Sequence, residues 1–229
     1  MLIGIAGQME AGKSSVANIL AEQRGFEVVA FADFLKNMCQ DVFDLTDHQM
    51  YTTEGKAAPF DKPIILTKEK CRKILYKISE LKMWPIKPQH LDEIYVFSGT
   101  VFKTPRHLLQ IVGTEICRHL FVSDFHAQVL FEKIRRSLAV NIAIADARFP
   151  NEREYIKNNG GKNILVIDPD QHKCDTKHES ENSLGAPEDY DFVLFNDKTK
   201  GMDYLCTAVL NMHEYFVKNG DVKVSTTIK

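Results

Sequence analysis

The sequence of 229 residues lacks any long hydrophobic run and carries almost no excess of either charge. No apolar stretch approaches the roughly 20 residues that cross a bilayer, and Glu10 and Lys13 interrupt the N-terminal apolar stretch before any cleavage-site pattern. The net charge of -2 argues against a protein that coats nucleic acid, because such proteins usually carry excess Lys and Arg. We therefore expect no membrane partner, no nucleic-acid partner and a cytoplasmic location.

Cysteine is scarce, and no internal repeat is evident. The five cysteines lie at positions 39, 71, 117, 174 and 206, without a Cys-x-x-Cys pair. An odd number at wide spacing predicts reduced thiols. His172, Cys174 and His178 are close enough in sequence to suggest zinc, but a fourth ligand is missing. A zinc centre is therefore not expected.

A complete phosphate-binding loop occupies residues 7–14, with the sequence Gly-Gln-Met-Glu-Ala-Gly-Lys-Ser. Residues 1–6 form an apolar run of strand character, and a buried stripe from Val16 to Leu20 marks a helix that ends near Gly25. In such a loop, glycine lets successive backbone N–H groups point at an anion, and the following helix adds its positive end. Strand, loop and helix are contiguous, as phosphate binding requires.

Two side chains of this loop have expected roles in binding phosphate and metal. We expect Lys13 to reach the β- and γ-phosphates and the Ser14 hydroxyl to ligate Mg²⁺. The predicted ATP-binding residues are Gly7, Glu10, Ala11, Gly12, Lys13, Ser14 and Ser15. The alternative is an accidental Gly-rich turn, which the flanking strand and helix make rare.

The rest of the chain alternates strands and helices, a pattern typical of a parallel sheet. Further strands are predicted at residues 26–31, 141–145, 163–167 and 191–195, and helices at 32–42, 104–120, 124–138, 150–159 and 202–217. Prolines and aromatics break this rhythm over residues 44–103, around one periodic stretch at 68–81. We predict a single α/β domain with a five-stranded parallel sheet flanked by helices, in which residues 1–43 and 104–219 are the core and residues 44–103 are a helical insertion.

The second chemical element is a buried strand that ends in Asp146. Beside a phosphate-binding loop, such a carboxylate can hold Mg²⁺ or its waters, so Asp146 and Ser14 are the predicted metal ligands. A helix N-cap near Pro150 is the alternative role, and both roles can coexist. Arg148 lies two residues further on, where ligands bind in open α/β sheets, and is a candidate phosphate ligand. A surface salt bridge is the alternative for Arg148.

The third element is the helix that starts at Thr104 and Pro105, a capping residue followed by proline. Arg106, Gln110 and Gly113 share one helical face, apart from the apolar stripe. A charge, an amide and a glycine on one face suit the approach of a polar, flat ligand. Glycine is unfavourable inside a helix, and Gly113 is explained equally well by a ligand contact or by close helix packing.

Two further segments carry candidate residues. Asp33 and Lys36 follow the second strand, although Asp33 is equally explained as an N-cap and Lys36 as a solvated side chain. The long connection over residues 169–190 carries Lys177, His178 and Glu181, and its length is typical of a lid that excludes water. Disorder without a role is the alternative for this connection.

Together these segments resemble the bacteriophage deoxynucleoside monophosphate kinases. The resemblance rests on residues 7–14, on Asp33 with Lys36, and on three segments: 104–115 (TPRHLLQIVGTE), 146–152 (DARFPNE) and 178–181 (HESE). It spans nearly the whole chain in order, and only residues 44–103 match loosely. The preferred base therefore stays open.

The resemblance implies a P-loop kinase fold in which Mg-ATP is the donor and a deoxynucleoside 5′-monophosphate is the acceptor. It places Lys13, Asp146 and Arg148 in catalysis. It assigns Asp33, Lys36, Arg106, Gln110, Gly113 and Thr114 to the acceptor, residues 44–103 to the acceptor side, and Lys177, His178 and Glu181 to the lid. The implied cofactors are ATP and Mg²⁺ and the partners are small-molecule nucleotides, with a homodimer left open.

Three other functions are compatible with the same loop. A kinase resembling dephospho-coenzyme A kinase would use a different acceptor. A nucleotide-operated switch would turn over slowly and lack an acceptor pocket. A module that binds ATP only for structure would lose folding stability without Lys13.

Overall fold

The computed structural model describes residues 1–170 and 183–219. The chain divides into two compact units, one of Met1–Phe31 with the chain from Ile134 onward and one of Ala32–Lys133. The described strands are β1 (Leu2–Ala6), β2 (Glu27–Val29), β3 (Ile64–Ile65), β4 (Val101–Phe102), β5 (Ile142–Ile144), β6 (Lys162–Ile167) and β7 (Phe192–Phe195). The described α-helices are α1 (Lys13–Arg24), α2 (Asp33–Phe43), α3 (Asp47–Tyr51), α4 (Thr53–Ala57), α5 (Lys68–Glu80), α6 (Pro88–Tyr95), α7 (Pro105–Gln110), α8 (Phe125–Arg136), α9 (Pro150–Asn158) and α10 (Gly201–Asn219). A π-helix spans Ile111–Phe121.

Five strands of the first unit form one parallel sheet in the order β2-β5-β1-β6-β7. These are the five strands predicted from the sequence, so the prediction of a five-stranded parallel α/β fold is confirmed. Most of β1 and all of β5 are buried, as expected for parallel strands covered by helices on both faces. The phosphate-binding loop therefore leaves the central strand at the carboxyl edge of the sheet.

Alternate residues of β1 face opposite layers of the first unit. Ile3 and Ile5 belong to the hydrophobic core that the sheet forms with α1 and α10. Gly4 faces α9, where a Cβ would lie 2.3 Å from Cδ1 of Ile156. The core of the α1 and α10 layer includes Val16, Leu20, Val166, Leu194, Val209, Met212 and Phe216. Both faces of the sheet are thus covered close to the loop.

The second unit is mainly helical and has its own hydrophobic core. Buried members of this core include Leu35, Met38, Ile74, Ile78, Phe102, Leu108, Val112, Ile116 and Phe125. Strands β3 and β4 pair antiparallel within it. The predicted insertion, residues 44–103, lies in this unit together with residues 32–43 and 104–133. Those flanking segments join it because the apolar stripes of α2 and of residues 105–121 belong to the same core.

The predicted helix over residues 104–120 begins as expected and then changes type. Oγ1 of Thr104 accepts a hydrogen bond from the N–H of His107 at 3.2 Å, and Pro105 is the first residue of α7. From residue 111 the backbone continues as a π-helix, in which hydrogen bonds join residues i and i+5. The prediction of one continuous α-helix is therefore wrong. Apolar spacing reports which face is buried and cannot show how tertiary packing alters the backbone.

The structure also bears on the predictions about cysteines and membrane spans. Cys39, Cys71, Cys117 and Cys206 are free thiols, as predicted. Among the helices of residues 1–170 and 183–219, none combines the length and the apolar character that a membrane span requires.

Candidate active site

The phosphate-binding loop connects β1 to α1 through residues with unusual backbone angles. Gly7, Glu10 and Gly12 adopt φ angles of 152°, 67° and 99°. Helix α1 begins at Lys13, and its N-cap residue is Gly12, which has no side chain to cap the first turn. The first N–H groups of a helix lack intrahelical partners and favour an anion. The loop and the helix end therefore have the geometry of a phosphate site.

Two glycines of the loop lie too close to the sheet to carry a side chain. A Cβ at Gly7 would lie 2.5 Å from the carbonyl oxygen of Val166 in β6. A Cβ at Gly12 would lie 2.1 Å from Nδ2 of Asn196, the residue that follows β7. Contacts with two neighbouring strands therefore help to set the path of the loop.

The side chain of Lys13 lies within the loop and is only 8% exposed. Its Nζ donates hydrogen bonds to the carbonyl oxygens of Gly7 at 2.8 Å and Gln8 at 2.5 Å. These contacts hold the ammonium group against the same backbone that would surround a bound phosphate. A cation at this position can stabilise the charge of a nucleotide's terminal phosphates.

Asp146 follows β5, the strand beside β1, so it lies at the same edge of the sheet as the loop. The backbone N–H of Phe31, which follows β2, donates a hydrogen bond to Oδ1 of Asp146 at 2.7 Å. The N-cap of α9 is Phe149, so the alternative in which Asp146 caps that helix is not what the structure shows. The carboxylate is instead anchored between two strand ends.

The predicted metal ligands are of the chemical type that magnesium binds. Ser14 is exposed in the first turn of α1 and Asp146 is half-buried, so a hydroxyl and a carboxylate lie at one edge of the sheet. Oxygen atoms are the ligands that Mg²⁺ prefers, and it usually keeps several waters and takes others from phosphates. Within the described residues, no group of three or more His, Cys, Asp or Glu side chains could hold a metal by itself.

The remaining predicted loop residues differ in exposure. Glu10 is exposed, Ala11 is buried, and Ser15 is half-buried in the first turn of α1. Since backbone groups make most contacts in such a loop, the buried side chain of Ala11 does not exclude its N–H from the site.

Two buried charged residues hold the backbone at Arg148. Oε2 of Glu152 accepts hydrogen bonds from the N–H groups of Arg148 and Phe149, each at 3.0 Å. Nη1 of Arg153 donates to the carbonyl oxygens of Arg148 at 2.8 Å and Ser183 at 3.1 Å. Arg148 itself is half-buried at the carboxyl edge of the sheet. Its backbone is therefore fixed on both sides.

The guanidinium of Arg153 also lies over the ring of Tyr190, 5.1 Å from the ring centre. Burial raises the pKa of Tyr190 to about 12, although the charge of Arg153 acts in the opposite direction. Arg153 and Asn196 were not predicted from the sequence, and Glu152 was predicted only as part of the segment 146–152, without a role. Glu152 had a signal, because glutamate at the third helical position often caps the backbone before the helix.

The acceptor residues predicted near the start of α2 lie together in the second unit. Nζ of Lys36 lies 4.8 Å from the ring centre of Tyr51. Partial burial raises the pKa of Tyr51, and the negative charges of Asp33 and Asp47 add to this effect. Ala32 occupies the N-cap position of α2, so Asp33 is the first helical residue and not the cap.

The remaining acceptor residues lie on α7 and the π-helix. Arg106 is exposed, and Gln110 and Thr114 are half-buried. Gly113 is buried, and a Cβ there would lie 2.6 Å from Cδ2 of Leu35. Close packing, one of the two explanations left open for this glycine, is therefore present. Contact between Gly113 and an acceptor stays a prediction.

A buried histidine supports the π-helix at the same position. His126 is 6% exposed, and its Nε2 lies 3.1 Å from the carbonyl oxygen of Gly113. Because a carbonyl only accepts hydrogen bonds, Nε2 carries the proton. Burial lowers the pKa of His126 to about 4, and the nearby charge of Arg118 contributes. His126 is therefore neutral at pH 7.

The predicted lid residues Lys177, His178 and Glu181 lie outside the described residues, as do His172 and Cys174 of the zinc alternative. The structure therefore bears on neither prediction.

A phosphate-binding loop after the central strand of a parallel sheet, with a carboxylate after the neighbouring strand, defines a P-loop α/β protein. The profile of the family described as deoxynucleotide monophosphate kinase matches residues 1–205. The chain belongs to this family, which places it among the phosphotransferases. The resemblance stated from the sequence motifs is confirmed.

Two viral proteins are similar to the chain over most of their length. A candidate deoxynucleotide monophosphate kinase of Acanthamoeba polyphaga mimivirus is 31% identical over 211 residues, covering 87% of this chain and 90% of the relative. The deoxynucleoside-5′-monophosphate kinase of Escherichia phage T5 is 24% identical over 241 residues, covering 92% and 95%. Among solved structures, TT1252 from Thermus thermophilus aligns over 94% of this chain and 96% of its own, with 16% identity and a TM-score of 0.45.

Proposed function

We propose that the chain transfers the γ-phosphoryl group of Mg-ATP to a deoxynucleoside 5′-monophosphate, yielding the diphosphate and ADP. The observation that carries this proposal is the Lys13 ammonium held inside a phosphate-binding loop, in a chain of the deoxynucleotide monophosphate kinase family. An oxygen of the acceptor phosphate attacks the γ-phosphorus, and the bond from that phosphorus to the oxygen bridging to the β-phosphate breaks. ADP leaves with that oxygen.

The donor is bound by the loop of the first unit. Backbone N–H groups of the loop and of the first turn of α1 donate to the phosphates, and Lys13 neutralises charge on the β- and γ-phosphates. Ser14 and Asp146 would hold Mg²⁺, which when bound neutralises charge on the phosphate oxygens. Arg148, with its backbone fixed by Glu152, stabilises the charge of the transferring group.

The acceptor is bound by residues of α2 and α7. Arg106 is assigned to the acceptor phosphate because a guanidinium binds such a group through two parallel hydrogen bonds. Gln110, Asp33 and Lys36 are assigned to the nucleoside. The acceptor oxygen is already anionic, so positioning and electrostatics suffice and no strong general base is required.

A coupled assay of ADP release from Mg-ATP tests the function. The acceptor panel contains dAMP, dGMP, dCMP, dTMP, hydroxymethylated dCMP, the ribonucleotides and dephospho-coenzyme A. Stimulation by one or more deoxynucleotides is expected and would also define the base preference. Stimulation by dephospho-coenzyme A alone would point to the other kinase, and slow release indifferent to every acceptor would contradict the proposal and favour a switch.

A further inference from the structure

Asn196 connects the phosphate-binding loop to β6 and β7, the last two strands of the sheet. It is the residue after β7, and it is 7% exposed. Its Nδ2 donates a hydrogen bond to the carbonyl oxygen of Ala11 at 3.0 Å. Its own backbone N–H donates to the carbonyl oxygen of Ile167 in β6 at 2.7 Å. The backbone of Asn196 is therefore held by the sheet, and its side chain holds the loop.

The hydrogen bond from Asn196 fixes the direction of one peptide group in the loop. The carbonyl of Ala11 and the N–H of Gly12 belong to the same planar peptide, and all peptide bonds of the described residues, this one included, are trans. In a trans peptide these two groups point in opposite directions. Because Asn196 holds the carbonyl, the N–H of Gly12 must point away from Asn196.

Packing supports the same restraint. A Cβ at Gly12 would lie 2.1 Å from Nδ2 of Asn196, so the amide fills the space that a side chain would need. Gly12 has a φ of 99°, where glycine is favoured. The carbonyl of Gly12 is held by the N–H of Val16 at 3.0 Å, and the amide of Asn196 blocks rotation of the preceding peptide on the side that faces it.

We propose that Asn196 is a positioning residue that turns the Ala11–Gly12 peptide so that its N–H donates to the donor's phosphates. The inference rests on one part of the proposed function, namely that the loop binds a nucleoside polyphosphate. It concerns phosphate affinity and is independent of which acceptor the enzyme uses. Asn196 acts through the loop and does not itself touch the nucleotide.

The chain offers a matched control at the opposite end of the sheet. Asn163 is fully buried near the start of β6, and its Nδ2 donates to the carbonyl oxygen of Arg153 at 2.9 Å. A Cβ at Gly4 would lie 2.6 Å from its Oδ1. Asn163 is thus also buried, donates the same type of hydrogen bond and contacts a glycine, but it lies near the amino end of its strand, whereas Asn196 follows the carboxyl end of β7.

The experiment compares Asn196→Ala with Asn163→Ala by calorimetric titration of two probes, Mg-ADP and inorganic tripolyphosphate. Both variants are expected to unfold at lower temperature, because each loses a buried hydrogen bond. Only Asn196→Ala is expected to bind both probes about tenfold or more weakly, since a hydrogen bond to a charged phosphate is lost from the loop. Asn196→Ser, which leaves a smaller cavity, replaces the alanine variant if that variant does not fold.

Each other outcome contradicts a specific statement. Equal affinities of wild type and Asn196→Ala would overturn the positioning role and leave the kinase assignment intact. Weaker binding of Mg-ADP with unchanged binding of tripolyphosphate would mean that Asn196 contacts the nucleoside, which also overturns the proposal. Failure of the wild type to bind either probe would contradict the use of a polyphosphate donor, and the proposal would fall with it.

Discussion

The backbone N–H of Phe31 donates a hydrogen bond to Oδ1 of Asp146 at 2.7 Å, joining the ends of two adjacent strands. This bond uses one carboxylate oxygen to fix the side chain in place. A carboxylate held in this way needs no reorganisation when a cation arrives, which is the condition for efficient electrostatic stabilisation. The bond also makes it possible to separate the charge of Asp146 from its position.

Asp146→Asn is expected to lower kcat at least about 100-fold, because the amide oxygen still accepts from Phe31 while the negative charge is lost. The Mg²⁺ concentration needed for half-maximal activity should rise as well. Asp191→Asn is the matched control, since Oδ2 of Asp191 accepts from the backbone N–H of Asn163 at 2.8 Å at the other edge of the sheet. Steady-state kinetics over a series of Mg²⁺ concentrations measure both quantities for each variant. Equal losses in the two variants would refute a metal-binding role.

Lys13→Ala is expected to lower turnover by orders of magnitude and to leave the fold intact. The reason is that the ammonium stabilises phosphate charge, whereas its hydrogen bonds to Gly7 and Gln8 are local to the loop. Single-turnover transfer and thermal unfolding, measured on the same sample, check the two halves of this statement. A large loss of stability with little change in transfer would support the view that ATP has only a structural role.

Gly12→Ala is expected to abolish nucleotide binding, because the new Cβ meets Asn196 and the backbone has a φ of 99°. Gly25→Ala is the control: Gly25 caps the C-terminus of α1 with a φ of 68°, and its added Cβ meets nothing within 4 Å. The control should cost about 1 kcal/mol in the free energy of unfolding and leave nucleotide affinity unchanged. Denaturant titration and nucleotide titration of both variants measure the difference.

Local patterns predicted most of the fold and part of the site. The phosphate-binding loop was visible because its strand, glycines and helix are contiguous, and Asp146 was visible because a buried strand leads directly to it. Glu152 could also have been found, since its capping position is three residues after Phe149. These signals all lie within a few residues of the groups on which they act.

Long-range contacts were not predictable in the same way. Asn196 and Ala11 are 185 residues apart, and Arg153 and Ser183 are 30 apart, so no local spacing indicates either bond. The π-helix was missed for a related reason. Its departure from α-helical geometry accompanies the packing of Gly113 on Leu35, which depends on how α2 is placed and not on the sequence of the helix.

His126 is expected to make stability depend on pH below neutrality. Its folded pKa of about 4 lies below the ordinary value of 6.5, so its contribution to stability is fully present above pH 6.5 and is lost as pH falls towards 4. The loss should approach roughly 3 kcal/mol. His126→Gln, whose amide can still donate to Gly113, should lack this component. Urea unfolding of both proteins at several pH values isolates it, and parallel curves would contradict the assignment.

Arg106→Ala is expected to act on the acceptor and to leave the donor unaffected. Arg106 is exposed in the first turn of α7, so its removal should change the fold little. If its guanidinium binds the acceptor phosphate, the KM for the preferred deoxynucleotide should rise about tenfold or more while the KM for ATP stays constant. Lys103→Ala, which removes a nearby exposed cation, is the control for a general effect of surface charge. A rise in the KM for ATP alone would show that Arg106 serves the donor, and its assignment to the acceptor would be wrong.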